Sequence, residues 1–206
     1  TADNANNSVG QFGWTYLFDV SSTLRQDYVV TNELLDLYES GDYRTDVYYD
    51  VLTSSSDGVD RNTIIKYPDN PSIGQSGIIE IMPFRYAEVL LNRMEAYAES
   101  DQPTLALADL NTLRNARGLS NLTGLVGNAL INEIRNERRR ELAFEGHYWH
   151  DLKRWNEDMV RIEEELCADP SCIFTIPASS KFWLWPLPTD EISNNPVIAE
   201  QQAPGY

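Results

Sequence analysis

Glu133, Glu137, Glu141 and Glu145 recur at every fourth position, shortly before His147 and His150. A spacing of four lines carboxylates along one face of a helix. Carboxylates beside imidazoles are the raw material of a metal site. The known templates do not fit: a di-iron bundle needs Glu and His three apart, and no Glu stands three residues before either histidine. The zincin pattern H-E-x-x-H is also absent. Arg135, Arg138, Arg139 and Arg140 are interleaved with the glutamates and offer a simpler reading. Four carboxylates on one face repel, and arginines three or four positions away relieve that by about 0.2–0.5 kcal/mol per exposed pair. Arg138 falls between Ile134 and Leu142 on the apolar stripe, where a charge must be paired to be tolerated. Glu137, Arg138, Glu141 and Glu145 are therefore expected to form a structural ion network, with no metal and no cofactor. His147 and His150, beside Tyr148 and Trp149, read as ordinary core or surface histidines.

Cys167 and Cys172 flank Ala168-Asp169-Pro170-Ser171, a turn. A turn can bring two Cα atoms to the ~5.5 Å a disulfide requires, and closing so short a loop contributes about 2 kcal/mol. The alternative is two unpaired thiols. The spacing is not the C-x-x-C of redox and zinc sites, and no further ligand completes a metal set, which favours the disulfide. A disulfide in turn implies an oxidising compartment. No phosphate-binding loop or dinucleotide fingerprint is present, and Gly74-Gln75-Ser76-Gly77 lacks the spacing of a nucleophile elbow. No residue is assigned a catalytic role.

The aromatic residues carry more information. Nine of the 22 lie in the first 50 positions, about twice the share an even spread would place there. Phe12, Trp14, Tyr16 and Phe18 alternate, so an extended backbone would turn all four to one side. One reading is a half-buried strand. The other is a surface loop, suggested by Gly10, Gly13 and the Asn-rich start. Aromatic faces beside Asn and Asp suit stacking on sugar rings, with polar groups fixing the hydroxyls. On this second reading Phe12, Trp14 and Tyr16, extended by Tyr28, Tyr48 and Tyr49 near Asp46 and Asp50, are the candidate ligand contacts.

The elements that position these residues follow from composition and period. The chain has 206 residues and a formal charge of −16. Nucleic-acid binding and adhesion to an anionic membrane are excluded, because both draw their affinity from Lys and Arg. Residues 1–83 hold 13 acids, four bases and few helical periods. They read as loops and short strands, the latter at Ile64–Tyr67 and Gly77–Met82, with one short helix near Thr31–Tyr38. From Phe84 the period becomes helical. Ala87, Leu90, Leu91, Met94 and Ala98 share a face, Asp101 and Pro103 open a second helix, and Gly118 ends it. Phe84–Arg117 has the 34-residue length of a tetratricopeptide repeat, and such a unit needs neighbouring helices to bury its faces. A third helix is expected from Asn128 to Glu145, and a fourth from His147 to Val160. Five of the ten prolines lie in the last 30 residues, which predicts an extended wrapping tail anchored by Trp183, Trp185 and Ile192.

Several stretches, in order, resemble the SusD/RagB family of Bacteroidetes outer-membrane proteins. They are Arg85-Tyr86-Ala87-Glu88-Val89-Leu90-Leu91 with Glu95-Ala96, Leu110-Asn111-Thr112-Leu113-Arg114-Asn115-Ala116-Arg117-Gly118-Leu119, and Glu137-Arg138-Arg139-Arg140-Glu141-Leu142-Ala143-Phe144-Glu145-Gly146 followed by Asp151-Leu152-Lys153-Arg154-Trp155. Trp185-Pro186-Leu187-Pro188, Glu191-Ile192, Asn195-Pro196 and Pro204-Gly205-Tyr206 resemble the closing segment, and Glu33-Leu34-Leu35-Asp36 with Asp42 and Arg44 is a weaker match. The resemblance implies a mainly α fold of tetratricopeptide-like hairpins with long loops, a few short strands and a Pro-rich tail. It implies a non-catalytic protein that captures glycan, or in some relatives peptide, for import through a SusC-type TonB-dependent transporter. Members are longer and lipidated at an N-terminal Cys. The chain, which opens at Thr1, is thus expected to be a C-terminal portion of a surface-exposed outer-membrane lipoprotein, without the anchor. Residues 1–83 would carry the ligand aromatics, and residues 84–206 the helices and tail.

Overall fold

A computed structural model describes residues 29–53, 57–66, 82–162 and 173–205. The chain divides into two compact units at the Glu145–Gly146 peptide. The first begins with two single-turn helices, α1 (Asn32–Leu35) and α2 (Thr45–Tyr48), followed by the strands β1 (Tyr49–Thr53) and β2 (Asp60–Ile64). The strands pair antiparallel with Tyr49 opposite Ile64, and Val29 bridges Thr63 on the other side of β2. Three longer helices follow: α3 (Tyr86–Glu99), α4 (Pro103–Ala116) and α5 (Gly127–Glu141).

The predicted stripe of α3 is the face that packs. Leu90, Leu91 and Met94 join Ala106, Leu110 and Leu113 of α4 and Leu130 and Ile134 of α5 in one buried cluster. Each large side chain removed from water there contributes about 1.5–3 kcal/mol. A second cluster under the hairpin gathers Val30, Leu34, Tyr48, Ile64 and Ala143. The change of sequence character at Phe84 is therefore no boundary in packing, because residues on both sides of it share one unit.

The α3–α4 turn differs from expectation in one detail. Asp101 does not cap α4. It takes a left-handed φ of 56° just past α3, where the Gln102 N–H reaches the Tyr97 carbonyl at 2.9 Å and the Asp101 N–H reaches Ala98 at 3.4 Å. That pair of bonds is a Schellman motif closing α3, and Asp is one of the few side chains that tolerates the position. Pro103 is the first residue of α4, where its missing N–H costs nothing. Gly118 ends α4 as expected, at φ +84°, with Leu119 N–H bonded to the Arg114 carbonyl at 3.0 Å. Here the lack of a side chain matters twice, since a Cβ on Gly118 would lie 2.7 Å from the Tyr43 ring and 2.9 Å from the Gly41 carbonyl.

The third helix stops at Glu141, not Glu145, since Phe144 turns left-handed at φ 67°. The second unit opens with α6 (His147–Trp155), which ends on left-handed Asn156 and does not run on to Val160. Val160 instead lies in β3 (Met159–Ile162), paired antiparallel with β4 (Ile173–Ile176). Leu152, Ile176 and Trp183 form the core of this unit, and the Trp149 and Trp183 rings sit 4.3 Å apart. The tail is less extended than its prolines suggest. It holds 3₁₀ turns at Lys181–Trp183 and Pro196–Gln201 around a short helix, α7 (Thr189–Asn194). Trp183 anchors it, donating from Nε1 to the Pro177 carbonyl at 2.7 Å, whereas Trp185 is 93% exposed and anchors nothing.

Gly118→Ala should lower stability by more than about 1 kcal/mol, through the left-handed backbone and the collision with Tyr43 together. Thermal denaturation followed by circular dichroism checks this. An unchanged melting temperature would contradict the close approach of Tyr43.

Candidate functional site

Three of the four regularly spaced glutamates, Glu133, Glu137 and Glu141, lie on α5, and Glu145 lies just past its end. All four face cations. Glu141 is fully buried and acts as the hub. Its carboxylate accepts from Arg44 Nη1 at 3.1 Å, Arg85 Nη1 at 2.8 Å and Arg117 Nη2 at 2.7 Å. Arg44, itself buried, also donates to Asp42 and Glu137, both at 2.7 Å. Arg140 bridges Glu137 at 2.6 Å and Glu133 at 2.5 Å. Glu145 holds Lys66 at 2.5 Å and Arg85 at 2.7 Å. Arg114 pairs with Glu39 at 2.5 Å and lies 3.7 Å from Glu133. These contacts join six acids to six bases, so the cluster is neutral as a whole.

The end of α5 explains why donors converge here. A helix leaves its last four carbonyls without intrahelical partners, and its C-terminus carries partial negative charge. The Glu141 carbonyl accepts from Arg85 Nη2 at 2.6 Å, Tyr48 Oη at 3.2 Å and Lys66 Nζ at 3.2 Å. Lys66 also donates to the Ala143 carbonyl at 2.8 Å, and Tyr38 Oη to the Arg140 carbonyl at 3.0 Å. Segments far upstream thus cap this helix with their side chains. Burial pushes the Glu141 carboxyl up, but the hydrogen bonds from Arg117 and Arg85 outweigh it and bring its pKa down to about 2. Burial pushes the Lys66 ammonium down to about 8, against the support of Glu145.

Of the four residues expected to form the network, Glu137, Glu141 and Glu145 sit at its centre. Arg138 reaches toward α3, donating to Asn92 Oδ1 at 2.7 Å and lying 3.9 Å from Glu88. Sequence spacing pointed to partners within α5, and Glu137–Arg140 is one. It missed Arg44, Lys66, Arg85 and Arg117, which no local pattern links to α5. For Arg44, Lys66 and Arg85 the signal was the scarcity of bases up to the start of α3.

The candidate ligand residues Phe12, Trp14, Tyr16 and Tyr28 lie outside the described residues, as do Cys167 and Cys172. Tyr48 corrects the reading of it as a ligand contact. Its ring is buried, its hydroxyl is used by Glu141, and Lys66 Nζ sits 3.9 Å from the ring centre. Tyr49 is half-buried, with its ring 5.7 Å from that of Tyr38. Among the described residues no group of three or more His, Cys, Asp and Glu is gathered to hold a metal ion. His147 is half-buried and His150 exposed.

A helical hairpin braced by a third helix, with its buried charges committed to ion pairs, defines a helical scaffold. The comparisons with known proteins identify which one. The SusD family model matches residues 58–206, and the chain belongs to that family. SusD-like protein P38 of Formosa agariphila is 37% identical over 143 residues, covering 62% of this chain and 26% of the relative. SusD-like protein P2 of the same organism is 30% identical over 201 residues, covering 82% of this chain and 38% of the relative. The chain thus spans well under half the length of these curated relatives. Among solved structures, a SusD-like carbohydrate binding protein from Bacteroides vulgatus superposes with a TM-score of 0.66 at 24% identity, covering 93% of this chain and 45% of the other. A SusD homolog from Bacteroides thetaiotaomicron gives 0.57 at 26% identity, covering 80% and 36%.

Removing one partner of a buried charge cluster costs about 3–5 kcal/mol, so Glu141→Gln should unfold at much lower denaturant than the parent. The acid response follows from the lowered pKa. The Glu141 carboxylate contributes stability above its unfolded value of 4.5, and that contribution is lost as pH falls through the folded value of about 2. Urea midpoints measured from pH 6 to 2 should fall steeply for the parent and more shallowly for Glu141→Gln. Parallel curves would remove Glu141 from the centre of the network.

Proposed function

We propose that this chain belongs to a non-catalytic protein of the bacterial cell surface that binds oligosaccharide or polysaccharide for import through a SusC-type TonB-dependent transporter. Membership of the SusD family carries this reading. A carbohydrate-binding protein of the same fold supports the ligand class. No helix among the described residues is long and apolar enough to cross a membrane.

The ligand contacts fall to the aromatic positions Phe12, Trp14, Tyr16, Tyr28 and Tyr49, with Trp14 and Tyr16 at the centre. Flat rings at low conformational cost are well suited to sugar rings, and loops carried by a rigid scaffold are where binding residues concentrate. The chain should be retarded in native gels containing at least one of soluble starch, xylan, laminarin or mannan, and Trp14→Ala should abolish most of that retardation. Equal mobility of the parent with and without every polysaccharide, alongside retention of a peptide library, would replace sugar by peptide as the ligand. Co-purification with a SusC-type transporter from outer membranes tests the partner.

A further inference from the structure

Tyr43 has a setting that the ion network does not account for. It stands between Asp42 and Arg44, both buried and committed to the network, yet is itself 63% exposed. The flanking residues hold its backbone, because Arg44 bonds Asp42 and Glu137, and the Tyr43 N–H donates to the Arg117 carbonyl at 3.0 Å. The ring lies against Gly118, with Cε1 and Cζ both 2.7 Å from where a Cβ would be. Gly118, at φ +84°, is the backbone position that lets it lie so close. An aromatic ring is thus fixed on one side by bare backbone and left to solvent on the other. A core tyrosine would be covered, and an incidental surface tyrosine would not have a glycine kept clear beneath it.

We propose that Tyr43 is a stacking platform for a pyranose ring of the bound glycan. The proposal rests on the glycan-binding reading above and adds a contact on the scaffold itself. An apolar sugar face needs a flat partner whose position is set before binding, so that little rotamer entropy is lost on association. The anchored backbone and the glycine bed supply that. Hydroxyls at the sugar's edge need charged or polar neighbours. Arg117, whose carbonyl holds Tyr43, keeps part of its guanidinium at the surface, and Asp46 is exposed on the next turn. Val47, four residues along, is also exposed. A protein partner docking on the same ring is the competing occupant, and the test separates the two.

The test uses the 206-residue chain in native gels with soluble starch, xylan, laminarin and mannan. On the polysaccharide that retards the parent, Tyr43→Ala should bind about tenfold more weakly, the loss expected of one aromatic stacking contact. Tyr43→Phe should bind within about twofold of the parent, because the ring face carries the contact. Melting curves of both variants within a few degrees of the parent show that the fold is retained. If the parent is retarded and Tyr43→Ala is retarded equally, the platform is wrong and the glycan reading stands. If Tyr43→Ala binds sugar normally but loses co-purifying transporter, the ring is a protein-docking residue and the proposal is overturned. If no polysaccharide retards the parent, the glycan reading fails and the platform falls with it.

Discussion

The fully buried carboxylate of Glu141 governs how the first unit is assembled. A lone carboxylate taken out of water is prohibitively costly, and it neutralises or recruits cations. Here it recruits three arginines from three places in the chain: Arg44 beside α2, Arg85 before α3 and Arg117 at the end of α4. Their side chains can reach one carboxylate only when the α3–α4 hairpin, the β1–β2 region and α5 adopt a single mutual arrangement. Apolar packing between helices tolerates sliding by a fraction of a turn, whereas a bidentate guanidinium does not. The network therefore acts as a register device more than as a source of net stability, since buried ion pairs often only balance their desolvation.

The same logic explains the capping of α5. Its end has no glycine to turn the chain, and Leu142 and Ala143 are buried. The carbonyls that a Schellman turn would satisfy are instead met by Tyr38, Tyr48, Lys66 and Arg85. Cationic donors suit the negative end of the helix, so Lys66 and Arg85 serve both the macrodipole and Glu145. Tyr48 and Lys66, from the ends of the hairpin, are thereby tied to a helix more than seventy residues downstream.

Much of the helical core was legible from period alone. Leu90, Leu91 and Met94 recur as a helix face must, Pro103 and Gly118 mark a start and a stop, and each of these local signals agrees with the fold. What was not legible involved competition or distance. Asp101 fits an N-cap and a left-handed C-terminal position equally well by residue type, and only the preceding helix decides. Val160 continues the α6 pattern, yet pairing with Thr175 wins. Tyr48 carries no mark that separates a core ring from a ligand ring. Its fate is set by a carbonyl at the end of α5.

Charge completes the argument from structure to ligand. The chain carries −16, while the named network of six acids and six bases is neutral, so the whole excess lies outside it. That excess cannot be what holds the fold together. It acts at long range, where a strongly negative surface slows the approach of polyanions and leaves neutral molecules unaffected. Stacking of an aromatic ring on an uncharged sugar needs no charge complementarity and is only weakly screened by salt. A net charge of −16 thus disfavours anionic ligands. On the proposed reading, recognition of a glycan rests on ring faces and hydrogen bonds, chemistry that tyrosines and their polar neighbours supply.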